Sequence, residues 1–121
     1  MNFNSKSIRS FIGAKNFNES RQFYRELGFE EVRIEENMSL FKINVNLGFY
    51  LQDYYVKDWV NNSMIFLEVE DVVSCEADLK GKGLDKKYKY VRFTEIKTFD
   101  WGREFFMHDP SGILWHFGQF N

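Results

Sequence analysis

Residues Thr94–Phe117 read TEIKTFDWGREFFMHDPSGILWHF. Pro110 is the single proline of the chain. Proline at the second position of a turn presets φ, and Gly112 at the fourth suits a type I turn opened by Asp109. The flanking runs, Glu104–Met107 and Ile113–Phe117, are rich in Phe and Trp, residues that suit a pleated, half-buried surface. The stretch therefore reads as a hairpin. A Trp-Gly pair, Trp101 and Gly102, stands at its mouth, where the indole either caps the core or lines a cleft. A lone histidine, His116, sits near its end.

The chain also carries an internal repeat. Phe11–Phe29 (FIGAKNFNESRQFYRELGF) aligns without a gap over Phe66–Leu84 (FLEVEDVVSCEADLKGKGL), at a constant offset of 55 positions. Asn16 falls on Asp71, both good helix N-caps. Gly28 falls on Gly83, each placed to stop a helix in the left-handed region. The spacing predicts a helix over 17–27 that buries Phe17, Ser20, Phe23, Tyr24 and Leu27, opened by a capping-box-like pair, Asn16 and Glu19. A second helix, 72–82, buries Val72, Cys75 and Leu79, which makes Cys75 a small core residue rather than a reactive thiol. Alternating runs follow each helix: Phe29–Glu35, Ser39–Asn44 and Leu47–Gln52 in the first half; Tyr88–Phe93, Thr94–Thr98 joined to Arg103–Met107, and Ile113–Phe117 in the second. The chain is thus α+β, built from two βαβββ repeats, about 7–53 and 63–119. Asp53–Asn62 connects them, and its aromatics, Tyr54, Tyr55 and Trp59, point to a cleft cover or an interface.

Composition sets the outer limits. At 121 residues the chain reads as a single domain with a core that needs no staples. Aromatics make up 19% of it, more than a minimal core requires, so some are expected to line a cleft or a subunit interface. The formal charge of −2 argues against a nucleic-acid binder. One cysteine permits no internal disulfide and fits a reducing compartment. The opening segment, MNFNSKSIRS, lacks an apolar run, and no stretch approaches the roughly 18 apolar residues of a membrane span, so a cytoplasmic protein without membrane attachment is expected. The lysine-rich run Lys80–Arg92 reads as a solvated helix end leading into an edge strand.

The paired repeats and the closing DPSG hairpin resemble the vicinal oxygen chelate superfamily, which includes glyoxalase I, extradiol dioxygenases and the fosfomycin- and bleomycin-resistance proteins. Within it, EIKTFDWGREFFMHDPSGILWHF is most similar to the bleomycin resistance protein family, whose run has the form WGREF…DPxGNxxHF. Trp101, Gly102, Arg103, Glu104, Phe105, Asp109, Pro110, Gly112, His116 and Phe117 match that form; Ile113 stands where the family carries Asn. The resemblance implies a curled, mostly antiparallel eight-stranded sheet around a cleft, with helices on its convex side. It also implies a homodimer, often with an exchanged N-terminal strand, that sequesters a flat, cationic drug without chemistry on it.

Enzymes of the superfamily hold a divalent metal through His, Glu or Gln on four strands. The resemblance places those positions at Arg9, Tyr50, Met64 and His116. Strand parity, read from the residues alone, puts Ile8, Ser10, Ile12 and Ala14 on the helix side and Arg9, Phe11 and Gly13 on the cleft side. It likewise turns Met64, Phe66 and Glu68 inward. Only His116 suits a Zn, Fe, Mn or Ni ion; Met64 is too soft, and Arg9 repels a cation. Gln52, Glu68 and His108 are the neighbouring alternatives, but no His-x-His or His-x-x-x-His spacing exists. His116 then reads as a hydrogen-bonding cleft residue or a core histidine, and His108 as an exposed turn residue. No cofactor is expected.

The reading favoured by these features is a metal-free protein that binds a flat aromatic or cationic molecule, such as a bleomycin-class antibiotic. Trp101 would stack on the ligand. Tyr50, Trp59 and Phe66 would form apolar walls, and Gln52, Glu68 and His116 would fix polar groups, with Arg9 facing the cleft. The family sets an aromatic opposite its tryptophan; Met38 and Phe41 are the candidates here. The alternatives are a metal-dependent, glyoxalase-like lyase, isomerase or dioxygenase, and a sensing or structural dimer whose cleft is filled by its own side chains.

Overall fold

A computed structural model describes residues 2–121. The chain divides into two compact units, one ending at Tyr55 and one beginning at Val56. Each carries one repeat, and its hydrogen-bonded strands form one open sheet: four strands in the first unit, five in the second.

The first unit runs β1 (Phe11–Gly13), α1 (Phe17–Leu27), β2 (Glu30–Glu35), β3 (Met38–Lys42) and β4 (Gly48–Gln52), in sheet order β1-β4-β3-β2. β1 pairs with β4 in parallel; the other pairs are antiparallel. The local chemistry of α1 is the one expected. Asn16 accepts the backbone N–H of Glu19, and Gly28 closes the helix at φ 114°. There the Gly28 and Phe29 amides donate back to the Arg25 and Tyr24 carbonyls. Phe17, Ser20, Phe23, Tyr24 and Leu27 are all buried. Tyr24 packs edge-on to Phe49 and tilted to Phe41, which stacks on Phe49 with centroids 5.7 Å apart. Ile8 departs from expectation. It is almost fully exposed, because β1 begins only at Phe11 and Ile8 precedes it.

The second unit runs α2 (Lys57–Asn61), β5 (Met64–Glu68), α3 (Val72–Gly81), α4 (Leu84–Lys87), β6 (Arg92–Phe93), β7 (Lys97–Phe99), β8 (Gly102–His108) and β9 (Leu114–Phe120). Its sheet order is β5-β9-β8-β6, with β7 also on β8. β6 and β7 are two pieces of one interrupted edge strand. Both pair with β8, and between them the Thr94 amide donates to the Phe106 carbonyl while the Thr94 hydroxyl accepts the Phe106 amide. That interruption is why this unit counts five strands rather than four. β5 lies parallel to β9, repeating the β1–β4 relation: Phe11 sits opposite Tyr50, and Phe66 opposite His116.

Two expectations change here. The strand over Tyr88–Phe93 is shorter: β6 holds only Arg92–Phe93, because a turn in which the Val91 amide donates to the Tyr88 carbonyl takes up the residues before it. Leu84, Tyr88 and Val91 are buried across α4 and that turn. Cys75 is half-buried, with Val72 and Leu79 carrying the buried stripe of α3. Burial, together with the charge of Asp78, pushes its thiol up to about 11. The DPSG turn forms as read: Asp109, fully buried, accepts the amides of Ser111, Gly112 and Ile113 on one oxygen, each at 2.9 Å.

Candidate functional site

The uncovered face of the second sheet is where the chemistry-bearing residues collect. Alternation along β5, β8 and β9 sends Ile65, Leu67, Phe105, Met107, Trp115 and Phe117 toward α3, and Trp115 and Phe117 stack there. The opposite parity leaves Met64, Phe66, Glu104, Phe106, His116 and Phe120 on the other face.

Trp101 stands at the open end of this face. Its indole lies parallel to Phe99, with centroids 5.6 Å apart and planes 4° apart. It leans on Phe120 at 5.2 Å and Phe66 at 6.0 Å. All four rings are exposed, Trp101 at 37% and Phe120 at 52%. Two glycines make this possible. A Cβ on Gly102 would lie 2.1 Å from the Gln119 carbonyl oxygen, so no other residue lets the chain cross there beneath the indole. A Cβ on Gly118 would lie 2.3 Å from the Phe66 ring, so Gly118 is the floor on which Phe66 rests.

His116 is the polar centre of the same face. Its Nδ1 is 3.3 Å from Oε2 of Glu104, its Nε2 is 3.5 Å from Sδ of Met64, and Phe106 packs against it edge-on at 4.6 Å. Glu104 is buried, which a carboxylate accepts only with a partner. A Glu104 carboxylate accepting the Nδ1–H of a neutral His116 leaves a lone pair on Nε2.

The first unit brings together a different set. Arg9 donates from Nη1 to the Tyr50 hydroxyl at 3.2 Å, with its guanidinium 5.8 Å from the centre of that ring. Phe11 stacks on Tyr50 at 4.8 Å, and Met38 pairs with Gln52 across β3 and β4.

Some of the expected site does not assemble. Phe41 is fully buried in the α1-side core of the first unit, because its parity on β3 is that of Ser39 rather than Met38 and Leu40; it lines no cleft. Trp59 sits half-buried on α2, beside the Val60 and Asn61 side chains that approach Gly112 at the DPSG turn. Trp101 is at the other end of the hairpin, roughly 20 Å away over six strand residues, so the two indoles do not share a wall within this unit. Glu68 is exposed at the end of β5. His108 is half-buried instead of exposed: its Nδ1 is sealed without a hydrogen-bond partner, and burial, then the charge of Arg92, lowers its pKa. The sequence singles out neither Phe99, Phe106 nor Phe120, and Glu104 only as a match to the WGREF form. Stepping by two from His116 reaches Phe120, and continuing across the hairpin reaches Glu104 and Phe106.

The donor set does not suit the divalent ion of the superfamily's enzymes. Arg9 and Tyr50 engage each other, one of them a fixed cation, and Met64 is a thioether. Among the described residues, no group of three or more His, Cys, Asp or Glu is placed to hold a metal ion. One concave pocket of about 440 Å³ lies elsewhere, lined by Gly28, Glu30, Lys42, Ile43, Asn44 and Val45, and contains none of the expected site residues.

No protein-family model matches the sequence, and no curated protein sequence matches it. Solved structures do. The bleomycin-binding protein from bleomycin-producing Streptomyces verticillus, complexed with copper(II)-bleomycin, superposes with a TM-score of 0.78 at 18% identity, over 95% of this chain and 96% of that one. The bleomycin resistance determinant encoded on transposon Tn5 gives 0.77 at 18%, over 97% and 99%. A glyoxalase/bleomycin resistance protein from Catenulispora acidiphila gives 0.76 at 19%, over 97% and 100%. These likenesses cover nearly the whole of each chain and establish the architecture: the chain has the fold shared by these bleomycin-binding and glyoxalase/bleomycin resistance proteins.

Proposed function

We propose that this chain is a small-molecule binding protein of the bleomycin resistance type. It holds a flat aromatic or cationic ligand against the exposed face around Trp101, acts as a homodimer, and needs no hard divalent ion. The observation that carries this reading is the aromatic platform of Phe66, Phe99, Trp101 and Phe120, four rings in mutual contact that remain open to solvent. Exposed clustered rings of this kind mark a binding surface, and a flat ligand gains stacking there at little ordering cost. His116 and Glu104 beside the platform supply hydrogen-bonding groups and negative charge for a cationic partner. Several fold neighbours are described as bleomycin-binding, and one, from Streptomyces sp. CB03234, as antibiotic-binding, which supports the ligand class proposed. No helix among the described residues is long and apolar enough to cross a membrane.

Tryptophan fluorescence tests the reading. Trp115 is fully buried and Trp59 lies at the other end of the hairpin, so the Trp101→Ala variant identifies quenching by a ligand on the platform. Quenching by bleomycin-class drugs, lost in Trp101→Ala, is expected. Absence of quenching by that class at micromolar concentration defeats the ligand assignment and leaves the fold intact. Sedimentation velocity should show a dimer. One tightly bound Zn, Ni, Mn or Fe ion per chain in purified protein would favour the metalloenzyme instead.

A further inference from the structure

The pair that fails as a divalent site has a chemistry of its own. We propose that Met64 and His116 form a binding site for a soft monovalent ion of the copper(I) and silver(I) class. The inference rests on their contact in the second unit and is independent of the drug-binding reading. A thioether and an imidazole are the donors that favour soft ions over Mg, Ca or Mn. Their separation suits a shared ion: Nε2 and Sδ stand 3.5 Å apart, so one ion can touch both. The remaining positions then fall to water or to a donor carried by a ligand.

Two further features support the site. Glu104 lies behind His116, 3.3 Å from Nδ1, which is the carboxylate–histidine arrangement that fixes a metal-binding imidazole with its other nitrogen free. Glu104 is buried while Met64 is 64% exposed, so the orienting group is held in the protein and the donor pair is open to an incoming ion. The strand register keeps both donors on one face: Met64 and Phe66 project from β5 beside Leu114 and His116 of β9.

The test is calorimetric titration of the full chain with silver nitrate in chloride-free buffer, using Cys75→Ala as the parent because a thiol would take silver first. An unchanged thermal midpoint confirms that this parent is folded. One ion per chain is expected, with a shift of the Met64 methyl carbon signal at one equivalent. Met64→Leu and His116→Gln should each weaken binding at least tenfold, His108→Gln should not, and Glu104→Gln should weaken it by about ten- to a hundredfold at the same stoichiometry. Met64 is exposed, so Met64→Leu reports on the site even if His116→Gln fails to fold. Silver binding as tightly to Met64→Leu as to the parent, an unmoved Met64 methyl signal, or displacement of silver by equimolar Zn(II) overturns the proposal. Drug quenching is a separate readout, so either result can fail without the other.

Discussion

Replacing Glu31 with Gln should convert a pH-dependent part of this protein's stability into a pH-independent one. Glu31 sits on β2 with its side chain only 8% exposed, facing α1. Arg21 reaches it in a two-point contact, Nε to Oε2 at 2.5 Å and Nη2 to Oε1 at 3.1 Å. Arg25 adds 2.7 Å and the Ser39 hydroxyl 2.6 Å. Burial alone would raise the carboxyl pKa, but the hydrogen bonds from Arg21, Ser39 and Arg25 outweigh it and bring it from 4.5 down to about 2. A folded-state pKa below the unfolded one means stability that is complete above pH 4.5 and is lost as pH falls through 2. At about 1.36 kcal/mol per unit, the displacement is worth roughly 3 kcal/mol at neutral pH, about 1.4 kcal/mol at pH 3 and under about 0.5 kcal/mol at pH 2. Urea unfolding of wild type and Glu31→Gln at each half unit from pH 6 to pH 2 measures this directly. Every other carboxylate titrates alike in both proteins, so the difference between the two curves isolates Glu31. That gap should narrow by about 2 kcal/mol between pH 6 and pH 3. Parallel curves would show that the network does not hold the charge and would refute the reasoning.

Gly118→Ala should displace the Phe66 ring, leaving the far-ultraviolet circular dichroism unchanged while weakening any quenching of Trp101 by a platform ligand. Phe41→Ala should cost about 3–5 kcal/mol in chemical unfolding, the range for a buried phenylalanine, whereas the exposed Trp101→Ala should cost far less; equal costs would place Phe41 outside the core. Cys75, with its thiol pushed up to about 11, should react with a disulfide reagent at pH 8 at least tenfold more slowly than a free thiol and reach full rate only in denaturant.

How much of this was legible in the sequence depends on whether the deciding physics was local. The caps of α1 and the Asp109 turn each rest on residues within a few positions of one another, and sequence order alone identifies them. Parity extends that reach along a strand, which sets Met64 and Phe66 on one face of β5; that His116 shares this face follows from the pairing of β5 with β9. It fails where the register is not known. Phe41 and Met38 are three residues apart and therefore on opposite faces, and choosing between them required the pairing of β3 with β4. It fails again where a turn interrupts an alternating run, as it does ahead of Arg92. The hardest feature to read was Glu104. Flanked by Arg103, Phe105 and Phe106, it enters the sequence reading only as one match to the WGREF form, and its pairing appears only when the hairpin folds it against a residue twelve positions away. A buried carboxylate is costly unless its partner is fixed, and here the partner is the one histidine on the open face. The cost of burying Glu104 is thus tied to the orientation of His116. Glu104→Gln should disturb the histidine's tautomer and ring position before it disturbs the fold, visible as a shift in the His116 ring nitrogen resonances at an unchanged thermal midpoint.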